Sequence, residues 1–192
     1  MLYVRFISPP YFAFIKGLQR AENALSYVEH IPFPYDKGYE VHADIILDGM
    51  CYSAVGTAPG PCVLKGEYVP NPRRNSAGGE ELVSIPVTNP ADARKYLEKA
   101  AEVKTIQYKI PFFDFVTPFN AILDYTDPDL DCDTPKAWPT MFCSQFVLLF
   151  LRHCHKHGII EVPTPRPLYT CNSHVCSPGH LREIMRAAFD HK

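Results

Sequence analysis

The sequence predicts an α+β domain, in which a small antiparallel sheet or partial barrel packs against one enclosed helix with a cysteine in its first turn. Residues 140–158, TMFCSQFVLLFLRHCHKHG, place apolar side chains around most of a helical circumference, as in a helix surrounded by other elements. Residues 39–47 and 50–56, YEVHADIIL and MCYSAVG, are β-prone runs on either side of Asp48-Gly49. That dipeptide is a strong hairpin signal, because a two-residue type I′ turn needs positive φ at both positions. A length of 192 residues provides one domain, 1–192, with a sizeable core rather than two.

Composition excludes several partners. With 19 basic against 21 acidic residues, the chain carries no electrostatic footprint for nucleic acid or an anionic membrane. Its longest uninterrupted apolar run, residues 146–151, is far below a transmembrane span. The first residues, MLYVRFISPPYFAFIKG, are broken by Arg5 and Pro9-Pro10 and lack the features of a signal peptide. Seven cysteines without a repeated spacing argue for free thiols in the cytoplasm or another reducing compartment rather than a disulfide framework. The 19 prolines fall between periodic segments and punctuate loops.

In chain order, residues 1–20 hold an opening strand and a Pro-Pro break, followed by a short helix from about residue 12 into 21–29. A proline-rich loop at 31–38 leads to the hairpin. Its register pairs Leu47 with Met50, Ile45 with Tyr52, Asp44 with Ser53 and His42 with Val55. Residues 62–69 and 81–87 make two further strands, with a polar loop between. Asn89-Pro90-Ala91-Asp92 gives an N-cap, a proline at the first helical position and an acid in the first turn, opening a helix through residue 103. Tyr96, Leu97, Ala100 and Ala101 form its apolar stripe. Aromatic residues crowd 108–120, and an acidic, proline-bearing loop at 124–139 leads to the cysteine helix. That loop lacks the central glycine and terminal glutamate of an EF-hand, which argues against calcium. After a loop at 159–167, Ser177 caps a terminal helix whose inward side chains are Leu181, Ile184, Met185 and Ala188.

Thr140 is the expected N-cap of the cysteine helix, and Gly158 its left-handed stop. A thiol in the first turn, Cys143, lies near unpaired N–H groups and the positive end of the helix dipole, which stabilise a thiolate. Cysteines on apolar helices are most often packing, so Cys143 needs a spatially adjacent base to carry chemistry. The hairpin offers one. His42, Asp44, Ile46, Cys51, Ser53 and Val55 share a sheet face, with Ser53 diagonal to His42 and Asp44 two residues along. Two polar groups beside an imidazole hold it in a fixed tautomer. A half-exposed polar sheet face is the competing explanation.

The order of these parts resembles the circularly permuted NlpC-type branch of the papain-like cysteine hydrolases, in which the histidine strand precedes the cysteine helix. VHADIILDGMCYSAV is similar to that family's histidine strand, Asp-Gly turn and returning strand. GPCVLKGEYV resembles the strand that follows, FCSQFV the nucleophile motif, and SPGHL the start of the closing helix. The likeness covers about residues 38–188. Gln145 stands where the family usually has glutamate, and the returning strand lacks the usual His, Glu or Asn. Ser53 and Asp44 are therefore the candidates for a third residue.

The resemblance implies a papain-like, circularly permuted fold and a peptidase or amidase without a cofactor or metal ligand. It would act on a peptide, isopeptide or other acyl-bearing substrate. Cys143 is then the nucleophile, His42 the base, and the Cys143 backbone N–H an oxyanion donor. Acyl transfer, as in lecithin retinol acyltransferase relatives, is the alternative on the same fold. A non-catalytic interaction or virion component is another. From a different class comes a zinc-stabilised module, with Cys171, His174 and Cys176 as ligands and His153, Cys154 or His157 as a fourth.

Overall fold

The computed structural model describes residues 1–8, 42–55, 63–70, 79–103, 107–108, 131–135, 140–176 and 178–189. Within them the chain is α+β. Five strands, β1 (Leu2–Ser8), β2 (His42–Leu47), β3 (Met50–Ala54), β4 (Val63–Glu67) and β5 (Gly79–Ile85), form one sheet in the order β4-β3-β2-β1-β5. Every neighbouring pair in that sheet is antiparallel. The helices are α1 (Pro90–Glu102), α2 (Cys143–Lys156), α3 (Arg166–Tyr169) and α4 (Pro178–Phe189). None of them is long and apolar enough to cross a membrane.

The β2–β3 hairpin has the expected turn and register. Asp48 and Gly49 have φ of 48° and 80°, and Ile45 pairs with Tyr52, Ile46 with Cys51 and Leu47 with Met50. Alternation then sorts the side chains. Ala43, Ile45 and Leu47 join Leu2, Val4 and Phe6 of β1 and Tyr52 and Ala54 of β3 in the core, while His42, Asp44 and Ser53 take the opposite parity.

The opening segment matters more than its sequence suggests. β1 lies between β2 and β5, with Arg5 opposite Asp44 on one side and Leu82 on the other. The strand expected at 81–87 runs from Gly79 to Ile85 and pairs with β1. The helix expected after the Pro-Pro break lies outside the described residues, as do most of the aromatics at 108–120.

Helix α1 begins as its sequence dictates. The Asn89 side chain accepts from Asp92 N–H, and Pro90 opens the first turn. It buries Ala93, Tyr96, Leu97 and Ala100. In α2, Phe146, Val147, Leu148, Leu149, Phe150 and Leu151 are all buried, which accounts for apolar residues around nearly its whole circumference. Its start differs from expectation. Thr140–Met141 form a short parallel pair, β7, with β6 (Gln107–Tyr108), so Phe142 is the N-cap and Cys143 the first helical residue. The strand pairing takes the backbone that a Thr140 cap would need, and it brings Cys143 closer to the helix N-terminus.

At the other end Gly158 has φ of 64°. Thr88 closes that end, with Oγ1 donating to the carbonyls of Gly158 at 2.7 Å and Ile159 at 2.9 Å. Val87 bridges to Ile160. In α4, Leu181, Ile184, Met185 and Ala188 are buried as expected; Ser177, the expected cap, lies outside the described residues.

The turn geometry makes a testable contrast. At Gly49 a Cβ would meet no atom within 4 Å, yet the backbone is left-handed. Gly49→Ala is expected to lower stability by about 1–2 kcal/mol from conformation alone. Gly66 has the same open surroundings without a positive φ, so Gly66→Ala should leave the urea midpoint unchanged or slightly raised. Chemical denaturation of the two variants checks both.

Candidate functional site

The histidine, serine and aspartate of the hairpin converge on one another, and Cys143 meets them from α2. His42 Nε2 is 2.8 Å from Ser53 Oγ and 2.6 Å from Asp44 Oδ1. Ser53 is itself hydrogen-bonded to Asp44. The imidazole also interacts with the Cys143 side chain.

These contacts set the charge of the ring. Burial opposes an imidazolium, but hydrogen bonds to Asp44 and Cys143 and the charges of both raise His42 from 6.5 to about 10. Asp44 has 0% of its surface exposed. Burial favours its neutral acid, yet the hydrogen bond and charge of His42, the Ser53 hydroxyl and the charge of Arg5 hold it below the ordinary carboxylate value.

Arg5 is the component that sequence reasoning missed. Its Nε donates to Asp44 Oδ2 at 2.9 Å, and Nη2 bonds the same oxygen. Nη1 lies 3.6 Å from Glu80 of β5, and the guanidinium sits 5.4 Å from the Tyr68 ring centroid. Asp44 is thus held between two cations, one on each of its oxygens. The available signal was a lone arginine interrupting an apolar opening strand.

The other thiols differ. Burial and the charge of Asp44 push Cys51 up to about 11; burial and Asp133 do the same for Cys132, and burial raises Cys154 further. A hydrogen bond from Cys176 draws Cys171 below the ordinary thiol value, against burial, with His180 assisting. Cys143 has 4% of its surface exposed and the His42 side chain 21%, so the exposure of the pair lies mainly on the imidazole side.

Of the expected zinc ligands, Cys171 and Cys176 come together and His174 does not join them. His174 Nδ1 lies 3.4 Å from Gln145 Nε2, while Cys171 and Cys176 gather with His180 instead. His153 and His157 lie 2.7 Å and 2.9 Å from Asp133, whose second oxygen binds Lys156. Burial opposes ionisation of Asp133, but Lys156 and the two histidines hold its carboxyl far below the usual range.

Two outcomes test this electrostatic frame. His42 is raised when folded, so its stabilising contribution is complete below about pH 6.5 and declines to nothing by about pH 10. The difference in unfolding free energy between the wild type and His42→Ala should follow that window in denaturant titrations. Arg5→Met strands a buried carboxylate and should cost about 3 kcal/mol or more. Asp44→Asn in the same chain should recover part of the loss, measured as a double-mutant cycle.

Comparisons of the chain with protein-family models, with curated proteins and with solved structures find no match.

Proposed function

We propose that the chain is a cysteine-dependent hydrolase of the papain-like, circularly permuted type, cleaving a peptide, isopeptide or related amide bond. One observation carries this: a cysteine opening a buried helix interacts with a histidine whose Nε2 is held by Ser53 and Asp44. Neither residue is near the other in sequence; His42 arrives from β2 and Cys143 from α2.

The chemistry follows from the groups present. His42 takes the Cys143 proton, giving a thiolate and an imidazolium. The thiolate belongs to the first residue of α2, at the helix end that favours negative charge. Attack on a carbonyl carbon forms the S–C bond and moves the carbonyl electron pair onto oxygen. The Cys143 backbone N–H is the donor assigned to that oxyanion. Collapse expels the amine, which takes the proton from His42, and leaves a thioester. Water, deprotonated by His42, then releases the acid and restores the thiol. Asp44 and Ser53 orient the ring, and Asp44 supports its charge without taking the proton. An acceptor other than water would make the same site an acyltransferase.

The discriminating experiment is labelling of the native chain with limiting iodoacetamide from pH 5 to 9, with each cysteine mapped. Cys143 should label rapidly below neutral pH, and His42→Ala should abolish that advantage while leaving the folded state intact by circular dichroism. Asp44→Asn should move the labelling profile toward higher pH, with Ser53→Ala acting in the same direction and less strongly. Labelling of Cys143 at the rate of the raised thiols, indifferent to His42, would remove the basis for an enzyme and favour a binding or structural role.

A further inference from the structure

The chain between α3 and α4 is poor in apolar side chains, yet it is drawn into the interior. Cys171, Ser173, Cys176 and His180 are all buried. Cys171 follows α3, Cys176 ends the short 3₁₀ helix Ser173–Val175, and His180 is the third residue of α4. One ligand atom from each of Cys171, Cys176 and His180 lies within 4.8 Å of the other two. The Cys171 sulfur is 3.6 Å from His180 Nδ1. Both cysteines are free thiols.

From these residues we infer that Cys171, Cys176 and His180 bind a zinc ion. With bonds of about 2.3 Å to sulfur and 2.0–2.1 Å to nitrogen, a tetrahedral ion separates its ligand atoms by roughly 3.5–3.8 Å. The cluster needs only a small contraction to reach that spacing. Two soft sulfurs and an imidazole select zinc over magnesium or calcium, which prefer oxygen. Binding replaces each thiol proton by a bond to the metal and releases it to solvent, and His180 coordinates as neutral imidazole. Among the described residues no further His, Cys, Asp or Glu joins the three, so water or another donor takes the fourth position.

The ion would brace α2. Ser144 Oγ donates to the Cys176 carbonyl, and Gln145 Nε2 lies 3.4 Å from Ser173 Oγ. Farther along the helix, Arg152 donates through Nη2 to the Cys171 carbonyl and through Nε to the Leu168 carbonyl at 2.6 Å. The metal-bound segment is therefore fastened to the cysteine helix at both ends. This assignment goes beyond the hydrolase proposal and stands without it, because none of its ligands belongs to the Cys143–His42 pair.

The test uses the untagged full chain, purified with a thiol reductant and no chelator. Metal analysis should find one zinc per chain. Replacement by cobalt should give tetrahedral ligand-field bands and a sulfur-to-cobalt charge-transfer band. Cys171 and Cys176 should resist alkylation until a chelator is added. Cys176→Ser and His180→Ala should lose the metal and the charge-transfer band, whereas Cys143→Ser should keep both. Should the ligand variants fail to fold, the wild-type cobalt spectrum and chelator-dependent alkylation decide. Wild type without the charge-transfer band, full zinc retention by Cys176→Ser, or a Cys171–Cys176 disulfide in the reduced preparation would each overturn the assignment.

Discussion

A carboxylate with no exposed surface must be neutralised where it sits, and Asp44 imposes that requirement on the sheet around it. Its two oxygens are met by different cations, Arg5 on Oδ2 and His42 on Oδ1. Arg5 reaches Asp44 only because β1 is inserted beside β2 in the register that sets residue 5 opposite residue 44. The same strand pairs with β5, whose Glu80 faces the guanidinium. Strand order, register and charge balance are therefore one constraint rather than three.

The second dependence is on α2. Its apolar circumference allows burial on all sides, and its side chains share one core with those of the sheet and of helices α1 and α4. Polar anchors then set the helix along its length. Ser144, Gln145 and Arg152 hold the segment before α4, while His153 and His157 hold Asp133 of the loop before the helix.

What was legible in the sequence is what is local. Asp48-Gly49 fixed both turn angles and hence the hairpin register, so the meeting of His42 with Ser53 and Asp44 followed from counting residues. The Asn89-Pro90 start of α1 and the Gly158 stop of α2 were equally local. The rest depended on distant pairings. Arg5 and Asp44 are separated by 39 residues, and no local pattern says which strand lies beside the hairpin. Thr140 resembles a cap, but pairing with residue 107 takes its backbone into a strand. His174 is nearest in sequence to Cys171 and Cys176, yet it turns toward Gln145, while His180 reaches the thiols from the first turn of the next helix.

The hairpin also governs the order in which the site is made. Its His42–Ser53 contact spans only 11 residues, and all five strands of the sheet precede Cys143 in the chain. At about 5–20 residues per second, a ribosome takes on the order of 5–20 s to add the chain between His42 and Cys143. The polar setting of the imidazole is thus synthesised, and free to fold, before the thiol exists. Vectorial synthesis delivers the cysteine last, into surroundings that are already laid out.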